Sequence, residues 1–81
     1  MTKLEQKLLE LGYKQDFPDY LYKKYIQEFV LSIDTLNLSN SKMFISYFTY
    51  SFNSQQQIDN LQQAFNQLQN DLKELKECEE E

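Results

Sequence analysis

A narrow apolar stripe between positions 58 and 75 limits the folds that this chain can adopt. In the segment IDNLQQAFNQLQNDLKEL, large apolar residues recur at spacings of 3, 4, 3, 4 and 3, which places them on one face of an α-helix. The helix is predicted to begin near Ser54, which forms a capping box with Gln57, and to run to about Cys78. The stripe consists of Ile58, Leu61, Phe65, Leu68, Leu72 and Leu75.

Two surfaces compete for this stripe: the rest of its own domain and a second copy of the chain. Its heptad spacing is typical of a coiled coil, but it lasts for fewer than three heptads, and Phe65 suits packing on a sheet better. We therefore expect the first half of the stripe to pack on the protein's own sheet and its end to extend beyond that sheet. The candidate residues for self-association are then Leu68, Leu72 and Leu75.

A shorter helix is predicted near the other end of the sequence. Thr2 and Glu5 have the spacing of a capping box, and leucines recur on one face of the segment that follows them. Gly12, the only glycine, stands where a helix commonly ends with a left-handed residue. The helix therefore ends just before Gly12, and Tyr13 is placed to close over Leu8.

The segment from Tyr20 to Phe52 is rich in Tyr, Phe, Ile, Val and Thr, the residue types that favour strands. We predict strands in YLYKKY, in FVLSIDT and in MFISYFTYSF, with turns at Gln27–Glu28 and in NLSNSK. The first strand is open to another interpretation, because apolar residues repeat every four positions from Leu21 to Phe29, as in a helix. The tyrosines favour the strand.

These elements predict one α+β domain spanning residues 1–81: a helix, a three-stranded antiparallel meander, and a long C-terminal helix packed on the sheet, with the last few residues frayed. Eighty-one residues suffice for one domain only, and so short a chain is marginally stable. Cys78 is the single cysteine, so an intramolecular disulfide is excluded and a reducing, cytoplasmic location is expected. No apolar run reaches the roughly 20 residues that span a bilayer, so no membrane association is predicted.

The chain is acidic, with 8 lysines, 13 carboxylates, no arginine and no histidine, and a net charge of −5. Nucleic-acid binding requires a basic stripe that displaces counterions from phosphate, and the sequence contains none. Direct nucleic-acid binding is therefore not expected. An acidic protein is instead expected to meet a basic partner, because opposite electric fields steer association.

The residue types on which most enzymes rely are missing or badly placed. Without His there is no general base poised near neutral pH, and without Arg there is no bidentate phosphate clamp. A single glycine excludes Gly-rich phosphate loops, and Cys78 lies between two glutamates, an unfavourable setting for a nucleophilic thiolate. Asp16 and Asp19 lack the surrounding loop of an EF-hand. We predict a protein that is not an enzyme and that carries no metal and no cofactor.

One helix layer covers only one face of a small sheet, so the other face is a candidate partner-binding surface. Tyrosine and phenylalanine supply much of the contact area at protein interfaces. The alternative is that both helices and the loop aromatics bury most of these rings. The predicted contact residues are Tyr20, Tyr22, Tyr47 and Tyr50, together with the carboxylates Asp16, Asp19, Glu28 and Asp34.

Two stretches of the sequence carry a resemblance to a known group of proteins. The segments TYSFNSQQQIDNLQQAFNQLQNDLKEL (49–75) and LEQKLLELGY (4–13) resemble small proteins of unassigned function that are encoded by phages and prophages of low-GC Gram-positive bacteria. The resemblance covers both helices and the last strand, and no functional residues are carried over from it. It implies an accessory protein that binds a host factor. Inhibition of a bacterial defence system, as by an anti-CRISPR protein, is one such role.

The sequence thus favours a small acidic protein-binding module, of the phage accessory type, that inhibits or redirects a host or defence protein such as a CRISPR nuclease. The alternative is a structural protein that forms a homodimer through the end of the long helix and has no inhibitory target. A third class, an enzyme or a protein that sequesters a small ligand, requires a polar pocket between sheet and helix.

Overall fold

The computed structural model describes residues 2–46 and 51–79. This part of the chain forms a four-stranded antiparallel sheet and two α-helices, which confirms the predicted α+β class. A single 3₁₀ turn, Leu38–Asn40, lies between the third and fourth of these strands. The elements are, in chain order, α1 (Lys3–Glu10), β1 (Lys14–Gln15), β2 (Leu21–Ile26), β3 (Phe29–Asp34), β4 (Lys42–Ile45) and α2 (Gln55–Glu79).

Helix α1 begins and ends as its sequence predicts. The Glu5 amide donates a hydrogen bond to Thr2 Oγ1 (3.1 Å), and the Thr2 hydroxyl donates to Glu5 Oε1 (3.2 Å). At the other end Gly12 has φ +95°, and the Tyr13 amide donates to the Leu8 carbonyl (2.9 Å), which closes the last turn. Tyr13 and Leu8 are both buried in the core.

The sheet is a meander in the order β1-β2-β3-β4, with one strand more than the sequence predicts. The additional strand is β1, in which Lys14 pairs with Lys23 and Gln15 pairs with Tyr22. Both residues of β1 are polar and exposed, so no alternation of apolar and polar side chains marks them as a strand. The turn at Gly12 directs the chain from α1 into this position.

The segment YLYKKY, for which the sequence allowed either a strand or a helix, forms a strand. β2 pairs antiparallel with β3 along its whole length, from Leu21 opposite Asp34 to Ile26 opposite Phe29. The two strands are joined at Gln27–Glu28, as predicted, and Gln27 adopts the positive φ (54°) that tight two-residue hairpin turns require. Pairing with an apolar neighbouring strand therefore overrides the helical spacing of the apolar residues.

The last predicted strand, MFISYFTYSF, is only partly a strand. β4 ends at residue 45, and Ser46 then donates hydrogen bonds from its amide (2.8 Å) and its hydroxyl (2.7 Å) to the Glu28 carbonyl. The prediction is wrong for residues 51–52, which do not belong to a strand. The predicted contact residues Tyr47 and Tyr50 lie outside the described residues.

The cross-strand register determines which side chains share a face of the sheet. Because side chains alternate along a strand, Tyr22 and Lys24 of β2 share one face with their partners Ile33 and Leu31 of β3, and Met43 of β4 continues that row. Leucines of both helices pack on this face. The core cluster consists of Leu8, Tyr13, Tyr22, Leu31, Ile33, Leu38, Leu68 and Leu75.

Helix α2 packs inward with the opposite half from the one predicted. Leu68 and Leu75 are 4% and 0% exposed, whereas Ile58 and Phe65 are 45% and 46% exposed. The prediction that the first half of the stripe packs inward is therefore wrong. The C-terminal half of α2 packs inward because α1 offers it a second surface beside β3, so this half is enclosed from two sides. The leucines expected to mediate self-association accordingly belong to the core or, in the case of Leu72, pack against it.

Surface side chains form hydrogen bonds with one another along the N-terminal half of α2. Ser54 Oγ accepts a hydrogen bond from the Gln57 amide (3.2 Å), as the capping-box prediction requires. Three glutamine amides then donate to acceptors four residues on: Gln55 to Asp59 (3.0 Å), Gln56 to Asn60 (2.9 Å) and Gln62 to Asn66 (2.9 Å). Such pairs contribute about 0.2–0.5 kcal/mol each. In the described part of the chain, no helix combines the length and the apolar character needed to cross a membrane.

The substitution Leu68→Ala tests which half of α2 supports the core. We expect it to lower the free energy of unfolding by about 2–5 kcal/mol, because it leaves a cavity among buried leucines. The matched variant Phe65→Ala removes a larger but half-exposed side chain and should cost about 1 kcal/mol or less. Urea denaturation followed by far-UV circular dichroism measures both, and equal losses would contradict the assignment.

Candidate functional site

The face of the sheet opposite the core carries a shallow trough. It is built from two rows of cross-strand neighbours, each with one residue from β2, one from β3 and one from β4. We call the first the aromatic row and the second the lysine row. The aromatic row is Tyr25, Val30 and Phe44, and the lysine row is Lys23, Ser32 and Lys42.

Strand β3 forms the floor of the trough, and β2 and β4 form its rims. Val30 and Ser32 on the floor are 8% and 7% exposed, whereas Tyr25 and Phe44 on the rims are 70% and 49% exposed. Beside Phe44, a depression of about 480 Å³ extends over Ser32 and the lysines towards Asp34. Small residues on the central strand and large ones on its neighbours thus produce a concave surface with two available rings.

Lysines give the trough a local positive charge. Lys23 forms an ion pair with Asp16 (2.7 Å), and this hydrogen-bonded contact lowers the pKa of the Asp16 carboxyl and raises the pKa of Lys23. Lys42 on the opposite rim, and Lys14 beside Lys23 on β1, form no ion pair within the described residues. Two ammonium groups therefore remain available to an acidic group at this face.

The four carboxylates predicted as partner contacts do not gather on one surface. Asp34 Oδ1 accepts hydrogen bonds from two backbone amides of the turn that follows β3, so this side chain stabilises its own turn. Asp16 is engaged in its ion pair, and Asp19 lies exposed in the same loop before β2. Glu28 belongs to the turn at the other end of β2.

The exposed tyrosines of β2 differ from those predicted. Tyr22 is buried, because its position pairs with Ile33 on the core side of the sheet, and this corrects its prediction as a contact residue. Tyr20 is half-buried and lines the depression. The exposed ring of β2 is Tyr25, which the sequence analysis missed. The alternation of side chains along a strand could have predicted this, because Tyr22 and Tyr25 are three residues apart and therefore face opposite sides of the sheet.

A buried polar cluster on the core side holds the strands of the trough in place. The carboxylate of Asp71 in α2 accepts hydrogen bonds from Lys24 Nζ (2.7 Å) and the Tyr13 hydroxyl (2.8 Å) on Oδ2, and from Gln67 Nε2 (2.8 Å) on Oδ1. Lys24 also donates to the Leu11 carbonyl (3.1 Å), and its ammonium lies 4.5 Å from the centre of the Tyr13 ring. One cation thus joins β2 to α2 and to the end of α1.

The chemistry of this cluster is structural. Burial, followed by the hydrogen bond to Asp71, raises the pKa of Tyr13 far above its ordinary value, so the phenol stays protonated and donates. Among the described residues, no buried side-chain nitrogen or oxygen lacks a hydrogen-bond partner. The sequence does not reveal the cluster. Asp71 lies next to the apolar stripe and looks like an ordinary polar helix residue, and Lys24 is one of two adjacent lysines in a strand.

Comparison with known proteins identifies no relative of this chain. No protein-family model, no curated protein and no solved structure matches the chain. Within residues 2–46 and 51–79, no three carboxylate or thiol side chains are grouped so that they could hold a metal ion. The resemblance to phage proteins therefore stays a prediction, and the trough is the surface from which a function can be inferred.

The substitution Asp71→Asn tests the buried ion pair. It leaves the Lys24 ammonium without its counter-charge, and we expect the free energy of unfolding to fall by about 3–5 kcal/mol. The double variant Asp71→Leu/Lys24→Met removes both charges and should be more stable than Asp71→Asn alone. Urea denaturation measures all three proteins, and an Asp71→Asn variant as stable as the unsubstituted chain would contradict the role assigned to the pair.

The raised pKa of Tyr13 predicts a loss of stability in alkaline solution. Above about pH 10 the unfolded chain releases the Tyr13 proton while the folded chain keeps it, so unfolding becomes easier by up to about 1.4 kcal/mol per pH unit. Burial also raises the pKa of Tyr22, which adds to the decline. Tyr13→Phe should cost about 1–2 kcal/mol at neutral pH and make the alkaline decline shallower. An unchanged slope in urea titrations between pH 9 and about pH 11 would contradict this assignment.

Proposed function

We propose that this protein is a small protein-binding module and that the trough is its contact surface. The observation that carries the proposal is the pair of exposed rings, Tyr25 and Phe44, whose backbones lie about 10 Å apart across the floor residue Val30. Aromatic rings supply large contact areas at little cost in conformational entropy, and they dominate the energetics of many interfaces. A partner side chain can enter between them and rest on Val30.

The rigidity of the trough supports this proposal. Its floor strand, β3, is hydrogen-bonded to β2 on one side and to β4 on the other. The buried contact between Lys24 and Asp71 anchors β2 from the core side. A surface held in this way needs little ordering when a partner arrives, so more of the contact energy is retained as affinity.

The cellular role that we propose is that of a phage accessory protein that inhibits or redirects a host or defence protein, with a CRISPR nuclease as the specific case. The support is the resemblance carried by residues 4–13 and 49–75, together with a small, acidic sequence that has neither His nor Arg. The site of action would be the cytoplasm of an infected or lysogenic bacterium. Direct nucleic-acid binding is not part of the proposal.

A homodimer formed through α2 is the second candidate, and one observation favours it. Ile58 and Phe65 are both half exposed and lie seven residues apart, so they share one face of the helix. The dimer surface would then be the N-terminal half of α2, because Leu68 and Leu75 are already used by the core.

Co-purification from a Gram-positive host that expresses tagged and untagged copies together separates the two candidates. For a binding module we expect a host or defence protein in stoichiometric amount, identified by mass spectrometry, and its loss from the double variant Tyr25→Ser/Phe44→Ser. The matched control is Phe17→Ser, because Phe17 is 90% exposed but lies in the loop before β2, outside the trough.

Two outcomes would count against the trough as the contact surface. One is retention of the partner by Tyr25→Ser/Phe44→Ser when its far-UV circular dichroism is unchanged. The other is recovery of the untagged copy alone, with that recovery lost from Ile58→Gln/Phe65→Gln and kept by the trough variant. The second outcome would establish the homodimer instead.

A further inference from the structure

We infer that the trough binds an acidic segment of a protein, one that presents an apolar side chain and a carboxylate about 7 Å apart. The inference rests on the proposed function and adds the chemistry of the partner. The apolar side chain lies over the aromatic row, between the two rings. The carboxylate lies over the lysine row, between Lys23 and Lys42, where Ser32 forms the floor.

The spacing of the two rows sets the spacing within the partner. Along each strand the rows are two residues apart, which corresponds to about 6.6–6.8 Å. Side chains i and i+2 of an extended segment share one face at the same spacing. A leucine and a glutamate two residues apart in an extended segment therefore match the aromatic and lysine rows together.

The charges of the chain are divided between the two sides of the sheet. The trough and its margin carry Lys14, Lys23 and Lys42 against the carboxylates Asp16 and Asp34, which leaves one net positive charge there. The exposed charged residues of α2, on the opposite side, are mainly acidic: Asp59, Glu74, Glu77 and Glu79, with Lys73 and Lys76. The net charge of −5 belongs to the whole chain and does not represent the local charge of the trough.

This division changes the partner expected from the sequence. Total charge predicted a basic partner, but exposed charges are screened beyond about 8 Å at physiological ionic strength. At contact distance the partner meets the lysines on the rims rather than the glutamates of α2. Complementarity at the trough therefore favours carboxylates.

The lysine row is a weaker binding site for a nucleic acid than for a single carboxylate. Nucleic-acid affinity accumulates over many phosphate contacts, whereas Lys23 already shares its charge with Asp16. Asp34 stands at the end of the depression and would face a phosphate chain that followed the trough. One carboxylate needs only Lys42 and a neighbouring ammonium group, so the occupant favoured by these charges is a protein segment.

The test is an NMR titration of the isotope-labelled full chain with short synthetic peptides. Peptides that carry Leu and Glu two residues apart are compared with the same peptides carrying Lys in place of Glu. We expect the Glu peptides to shift the amide signals of the aromatic and lysine rows in a saturable way. Lys42→Glu should weaken the Glu peptides roughly fivefold and strengthen the Lys peptides, whereas the control Lys73→Glu, on the outer side of α2, should change neither.

Four results would overturn the inference. Preferential binding of the Lys peptides in the trough would do so while leaving the proposed function intact. An absence of saturable shifts with the Glu peptides, or shifts confined to residues outside the trough, would also do so. Tighter binding of a single-stranded oligonucleotide at the same signals, with an affinity that falls steeply with salt, would assign the trough to nucleic acid. Failure of the proposed function itself is detected separately, by co-purification with the trough variant.

Discussion

The buried carboxylate of Asp71 is the constraint around which the rest of the structure is arranged. A charge withdrawn from water is tolerated only when it is paired and hydrogen-bonded, and its partners here come from α2, from β2 (Lys24) and from the residue after the turn that ends α1 (Tyr13). These contacts fix the rotation of α2 about its axis and the orientation of β2. With Lys24 held on the core side, strand alternation requires Lys23 and Tyr25 to face outward, so the trough follows from the buried charge.

The features that could be predicted from the sequence depend on a few adjacent residues. The N-terminal caps at Thr2 and Ser54, the end of α1 at Gly12 and the turn at Gln27–Glu28 are each specified by side-chain hydrogen bonds or a positive φ within about four residues. The α+β class follows from them, because the helical and strand segments differ in residue type. The composition of the strands likewise predicts exposed aromatic rings on the sheet, but the exposed rings are Tyr25 and Phe44 rather than the predicted Tyr22.

The features that could not be predicted depend on contacts between distant segments. The stripe of α2 repeats evenly from Ile58 to Leu75, so nothing in it distinguishes the half that shares a core with α1. Whether Tyr22 or Tyr25 lies on the open face of the sheet depends on the strand register, which the spacing of tyrosines alone does not determine. The net charge likewise does not show where the lysines and glutamates lie, so it cannot reveal that they are separated between the two sides of the sheet.

The connectivity of the sheet bears on the order in which the chain folds. Every strand pairs with its neighbour in sequence, whereas the hydrogen bond between Tyr13 and Asp71 joins residues 58 positions apart. Closing a loop of that length costs more chain entropy than closing the two-residue turn between β2 and β3. We therefore expect the β2–β3 hairpin to form before α2 docks. The part of the trough formed by β2 and β3 would then exist before the core that encloses their other face is complete.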